Sequence, residues 1–550
     1  MKFVLIITDE ESQLCFNQHH KQWRDNLPSW QYFTNNITTT TNHINNNVSS
    51  SNIGDNSNKV VFNNHYTASC ACSPSRASIF TGKYPFPNAS RSDYMFHNVT
   101  TTNGLASETF PALTSKNMAE YFKQHGYVCK YYGKWHLTPE ATSYDLASRG
   151  WDNFWPGPEP HGPDLSLAGF VIDQQTFDLA CSAIKCNENN TDIDHNQNIE
   201  DYSSNRDVGG NGGNRDVGGN GGNKDVGGNG CNKDVGGNKD VGGNKDVGGN
   251  KDVGGNKDVG GNGCNKDVGG NGGNKCNDDN TVIAVNFVNP HDINLYLRMK
   301  AMGLIQQLPL PEVNVSCEND SDLPSHFESL MTQYTQQHLF CSYDMFTQLF
   351  DLVEYRRFYL YLCQLVDVHV YQLLQCIDTS NTVVIRTSDH GSSLGVKNGL
   401  LGKWLTTDDR VLRVPLMMSI PNSITLPTTR FSKVCNTTNK YSYDGLSSSI
   451  DILPTMLEVA KIKTSDKLIG IQLLSNDNRN NRKHVDFITF DNPTLGEVQT
   501  RLYERINGFE PDQQHLYSAI NFSGLHCRIH SHGRKTIKYY PSRLYLLSKL

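Results

Sequence analysis

The chain of 550 residues has no apolar run approaching the 18 residues of a membrane-spanning helix, which excludes a helical span at the level of sequence. It also lacks an excess of positive charge. Lys and Arg number 49 against 56 Asp and Glu, giving a net charge of -7 and no basic footprint for nucleic acid or an anionic membrane surface. No Cys-x-x-Cys pair is present, so no zinc cluster is indicated. The fifteen cysteines are odd in number and scattered, and Cys231 and Cys264 lie inside a repeat, which leaves the redox compartment open. Residues 3–7 are too few for the apolar core of a signal peptide, and Asp9, Glu10 and Glu11 interrupt them. The chain as it reads is therefore expected to be cytoplasmic, or lysosomal or secreted if the N-terminus is incomplete.

Two stretches carry too little apolar content for a core. Residues 34–58 are rich in Asn, Thr and Ser, and residues 187–280 hold a repeat of "NKDVGG" and "NKDVGGNGG". A calcium-binding β-roll fails on register, because six-residue units dominate where the roll needs nine. One Val per unit cannot offset the ordering entropy, so the repeat is expected to be a disordered surface insertion.

With those stretches set aside, an alternation emerges. "KFVLIIT" (2–8), "TVIAVNFV" (281–288) and "NTVVIRTS" (381–388) are continuous and β-branched, as strands of a parallel sheet covered on both faces are. Helical patterns at 117–125, 170–184 and 355–377 lie between them. This predicts an α/β fold with a doubly wound, mostly parallel sheet sandwiched by helices. "HVDFITF" and "RKTIKYYP" in the tail predict a small C-terminal antiparallel sheet with a helix. The expected division is a catalytic domain over 1–470 and a subdomain over 471–550.

Ligands in such sheets bind beyond the carboxyl ends of the strands. There the chain places Asp9-Glu10, then Pro290-His291-Asp292, then Asp389-His390. Any one of these is an ordinary turn; three together point to a metal site. The oxygen ligands suit Ca²⁺ or Mg²⁺, and an imidazole admits Mn²⁺. "GYVCKYYGKWHL" (126–137) sets Lys134 and His136 two residues apart, as on one side of a strand. Lys403 and Arg413 follow in a segment that also reads as a surface loop leading into a strand. In "CACSPSRASIFTG" (70–82), Pro74 and small residues suit a first helical turn. That helix would aim free N–H groups at whatever Cys72 holds, with Arg76 as a further anion-binding group.

"CSPSRASIFTG" resembles the signature of the formylglycine-dependent sulfatases of the alkaline-phosphatase-like superfamily. "GYVCKYYGKWHL", "NPHD", "TSDHG", "LRVPLMM" and "SSSIDILPTMLEVA" are similar to further family patterns, in family order. The resemblance implies that Cys72 becomes formylglycine, both nucleophile and metal ligand, through a formylglycine-generating enzyme. It implies Asp9, Glu10, Asp389 and His390 as the other ligands of one divalent ion, Ca²⁺ foremost. Arg76 would hold the formylglycine hydrate and Lys134 and Lys403 the sulfate. His136 would be the base that collapses the covalent intermediate, and His291 would act on the leaving-group side. Glu10 is one methylene longer than the Asp many members carry. The implied activity is hydrolysis of an aryl, other small-molecule or carbohydrate sulfate ester. A phosphonate monoester or phosphodiester hydrolase, and an unmodified anion-binding homologue, remain the alternatives.

Overall fold

The computed structural model describes residues 1–541 except 16, 35–56, 87–94, 101–108, 113–115, 139–142, 158–167, 187–279, 317–348, 396–400, 404–405, 428, 435–438, 476–481 and 490–521. The repeat therefore lies outside the described residues, as does any helix between 490 and 521. Of the tract at 34–58, Thr34 closes one helix and Ser57 and Asn58 open a strand.

The strands are β1 (Lys2–Thr8), β2 (Ser57–Tyr66), β3 (Tyr84–Phe86), β4 (Met95–Thr100), β5 (Thr109–Ala112), β6 (Val128–Gly133), β7 (Asn153–Trp155) and β8 (Thr281–Asn286). They continue with β9 (Thr382–Ser388), β10 (Leu416–Pro421), β11 (Ser432–Lys433), β12 (Lys440–Ser448), β13 (His484–Thr489), β14 (Phe522–His530) and β15 (Lys535–Pro541). Nine of them form the main sheet in the order β11-β12-β2-β10-β9-β1-β8-β6-β7. β10 and β11 run against the other strands, which are mutually parallel.

The continuous apolar runs of β1, β8 and β9 have the cause expected of them. Phe3, Leu5 and Ile7 enter one core layer with Val282, Ala284, Val383 and Ile385. Val4 and Ile6 enter the opposite layer with Ile283, Val285 and Val384. The first layer is closed by helices Cys72–Thr81, Met118–Lys123 and Ile452–Val459, the second by Pro28–Thr34, Gly169–Cys186 and Leu352–Gln375. Each strand residue thus buries its side chain in one layer or the other. A disulfide joins Cys181 to Cys376, at the end of the last of these helices.

β13, β14 and β15 form the expected antiparallel sheet near the C-terminus. Its apolar face, Val485, Phe487, Leu525, Cys527 and Ile529, packs on Cys70 and Ala71. The Ile488 N–H donates to the Ala68 carbonyl at 2.9 Å, Ser69 Oγ to the Ile488 carbonyl at 2.7 Å, and Thr489 Oγ1 to the Cys70 carbonyl. The small sheet is therefore bonded to the turn that leads into Cys72. Among the described residues no helix is long and apolar enough to cross a membrane.

Candidate active site

Helix Cys72–Thr81 begins at Cys72 itself and is buried along its whole length. Its small residues make that burial possible, and two of its hydroxyls bond back to the preceding turn. Ser78 Oγ donates to the Pro74 carbonyl at 3.0 Å and Thr81 Oγ1 to Ala77 at 2.6 Å. Pro74 in the first turn removes an N–H that would have no helical partner. Gly82 ends the helix at φ 66°, where a side chain would be strained.

The register of β1, β8 and β9 brings their ends level, and the Asp9 and Asp389 carboxylates meet Cys72 there. Asp9, Cys72, Asp389 and His390, all buried, each offer a ligand atom within 4.8 Å of one another. Cys72 Sγ lies 3.5 Å from Asp9 Oδ1, 3.2 Å from His390 Nε2 and 3.0 Å from Lys403 Nζ. Arg76 ties the group together. Its guanidinium reaches Asp9 Oδ2 at 2.9 Å, Asp389 Oδ2 at 3.0 Å, the Lys134 carbonyl at 3.0 Å and Asn286 Oδ1 at 3.2 Å. Lys134 Nζ sits 2.8 Å from Asp9 Oδ2.

Glu10 stands apart from that group. Its carboxylate clusters with Asp9 and His291, and Oε1 accepts from Lys403 Nζ at 2.5 Å and from Asn294 Nδ2 at 3.3 Å. Its backbone sits at φ 67°, with the carbonyl accepting from Tyr359 OH at 2.8 Å. Glu11 turns the other way and pairs with Arg386 at 2.9 Å.

Lys134 and His136 do not share one side of a strand. β6 ends at Gly133, where a Cβ would lie 1.9 Å from the Asn286 carbonyl oxygen, so the chain passes β8 too closely for a side chain. His136 follows at φ 50° in the loop beyond. The turn carries both residues to the sheet's carboxyl edge, and both are buried. Lys403 joins the centre, whereas Arg413 stays outside it, donating to the Asn63 carbonyl at 2.6 Å.

Burial alone would raise the Asp9 carboxyl, but Lys134 and Arg76 outweigh it and hold the group well below the usual carboxylate range. Burial and the nearby Asp9 push Asp389 up to about 6, against the pull of His390 and Arg76. Burial lowers Lys134, yet Asp9 more than reverses this and keeps the ammonium charged. Burial and then Lys134 press His291 well below its ordinary value, with Asp9 opposing. The centre thus sets a charged Lys134 beside a neutral His291 imidazole.

These residues fit a divalent cation. Carboxylates from two strand ends and one imidazole converge on a single point, and Glu10 Oε2 beside them is buried with no hydrogen bond among the described residues. Asn286, Asn294 and Tyr359 complete the centre but were not singled out from sequence. Asn286 ends the run "TVIAVN", so reading strand ends by position alone would have found it.

A family-wide sequence model described as Sulfatase matches residues 3–208 and 268–462. Human N-acetylgalactosamine-6-sulfatase is 33% identical over 113 residues, 19% of this chain and 20% of that protein. Rat Arylsulfatase G is 36% identical over 96 residues, 17% of this chain and 16% of that protein. The matched stretches therefore span a fifth or less of these curated relatives. A solved Bacteroides thetaiotaomicron structure assigned to the sulfatases aligns with a TM-score of 0.50 at 15% identity, covering 98% of this chain and 82% of that one. That likeness shows a shared fold. With the family match extending over most of the chain, the protein belongs to the sulfatase family.

Proposed function

We propose that the protein is a sulfuric ester hydrolase that uses formylglycine made from Cys72 and one divalent ion. The observation that carries the reading is the convergence of Cys72, two carboxylates, His390 and Lys403 on one buried point. As formylglycine hydrate, position 72 would offer one hydroxyl to attack sulfur and a second whose deprotonation expels sulfate and restores the aldehyde. Asp9, Asp389, His390 and position 72 would hold the ion, with Glu10 as a further carboxylate at its edge. The ion would lower the pKa of the attacking hydroxyl and draw charge from the sulfuryl oxygens.

The chain's own groups supply the rest. Arg76, fixed by four acceptors, sets the positions of Asp9 and Asp389 around residue 72. Lys134 and Lys403 neutralise the sulfuryl oxygens, where preorganised charge in a dry site is worth most. His291, held neutral at rest, relays a proton to the leaving oxygen together with Lys403. His136 takes the proton from the second hydroxyl.

The relative named for N-acetylgalactosamine-6-sulfate supports a carbohydrate sulfate as substrate, with aryl sulfates as convenient probes. The partner required for maturation is a formylglycine-generating enzyme. The disulfide between Cys181 and Cys376 supports folding in an oxidising compartment. We infer a subdomain over 471–550 whose strands β13 and β14 brace the nucleophile turn.

The test is turnover of an aryl sulfate and an aryl phosphonate by converted protein, before and after chelation. Faster cleavage of the sulfate, lost to chelator and restored by Ca²⁺, Mg²⁺ or Mn²⁺, is expected. Preference for the phosphonate would move the protein to the alternative chemistry.

A further inference from the structure

His291 is a partly exposed member of the centre, opening the short 3-10 turn His291–Leu295 rather than sitting on a strand. Its aim depends on what holds that turn. Two buried aspartates outside the centre do so, each from the opposite side.

Asp173, on helix Gly169–Cys186, accepts from the Val288 N–H at 2.6 Å through Oδ1 and from the Asn289 N–H at 3.0 Å through Oδ2. Asp292, next to His291, accepts from the Gly169 N–H at 2.9 Å and the Phe170 N–H at 3.1 Å, again with one oxygen each. The helix thus caps the turn, and the turn caps the helix. Each carboxylate oxygen accepts one backbone N–H, and both side chains are buried. The bonded residues bracket His291: Val288 and Asn289 before it, Asp292 after it. The contact is tight, since a Cβ on Gly169 would lie 2.7 Å from Asn289 Nδ2. The same turn is bonded to the centre, because the Asn289 carbonyl accepts from the Asp9 N–H at 3.3 Å.

We propose that Asp173 and Asp292 are positioning residues that fix the imidazole of His291 against the leaving-group oxygen. The proposal rests on the reading of His291 as the acid on that side. Replacing either Asp by Asn keeps the shape but turns an amide N–H toward a backbone N–H, donor against donor. One half of the clamp then opens while the core stays filled.

The experiment has two readouts, applied to Asp292→Asn and Asp173→Asn after a thermal melt confirms folding. If one variant does not fold, the other addresses the same turn from its opposite side. The first readout is the ¹⁵N-labelled histidine side-chain NMR spectrum, with His291→Gln for assignment. A shifted or broadened His291 signal is expected, and an unchanged one overturns the proposal. The second compares phenyl sulfate with 4-nitrophenyl sulfate, whose better leaving group needs less protonation. A misplaced general acid should cost roughly tenfold to a hundredfold more on phenyl sulfate. Equal losses on the two esters overturn the proposal. If the unaltered protein cleaves neither ester, the reading of the reaction fails instead, and the NMR result alone decides the positioning role.

Discussion

The two groups of ligands that meet at Asp9 are built in different ways. The inner group, Asp9, Cys72, Asp389 and His390, is fully buried; Asp9, Asp389 and His390 follow strand ends whose register is set by the sheet ladder, β1 pairing β9 from Lys2↔Thr382 to Thr8↔Ser388, and Cys72 opens a buried helix. The outer group, Asp9, Glu10 and His291, is buried except at His291 and is held by side chains bonding to backbone: Tyr359 on Glu10, and Asp173 and Asp292 around His291. A ladder distributes its load over many bonds, whereas a clamp concentrates it in two or four. The inner group should therefore fail only through its own chemistry, and the outer group through its supports.

The largest effect that sharpens this contrast is Cys72→Ala. Turnover should fall to background while the thermal midpoint stays near that of the unaltered protein, because the helix around residue 72 keeps its packing. A large loss of stability would show that the inner group depends on the thiol for its fold. Next comes Arg386→Met, which leaves the buried Glu11 without its cation. Breaking such a pair costs about 3–5 kcal/mol, readable in denaturant unfolding. A loss below about 1 kcal/mol would contradict a rigid base beneath β1. Lys403→Ala should lower kcat by about 10²- to 10³-fold, and it also leaves the buried Glu10 without its cation. A rise in KM alone would assign Lys403 to ground-state binding.

A smaller effect lies away from both groups. His65 is buried beside Ser447 Oγ at 3.0 Å, and burial lowers its pKa to about 3. The unfolded chain takes up a proton near pH 6.5 and the folded one does not, so stability falls as pH drops through the window from 6.5 toward 3. At pH 5 this amounts to about 2 kcal/mol relative to pH 7. His65→Gln should remove that share of the acid sensitivity, and an identical pH profile would contradict it. Smallest is Thr489→Val, which deletes the bond to the Cys70 carbonyl and should cost about 1 kcal/mol.

The same contrast explains what the sequence made legible. Asp9, Asp389 and His291 were readable because three uninterrupted apolar runs announce buried parallel strands, and ligands gather where such strands end. The α/β fold followed from the same runs. Lys134 and His136 reach the sheet's carboxyl edge by a different local path, since periodicity cannot sense that Gly133 passes too close to the Asn286 carbonyl to carry a side chain. Asp173 and Asp292 carry no sequence signal as a pair, because backbone donors that select them belong to whatever fragment packs opposite. Cys181 and Cys376, separated by 195 residues, could not be matched among fifteen cysteines without the packing of their helices.

The central claim is that the inner group is organised around a converted Cys72. Its most direct test is the mass of the peptide bearing residue 72, taken from protein isolated from its native source. The account expects an aldehyde in place of the thiol. An intact cysteine throughout the sample would contradict it and leave the buried centre without a nucleophile for sulfate transfer.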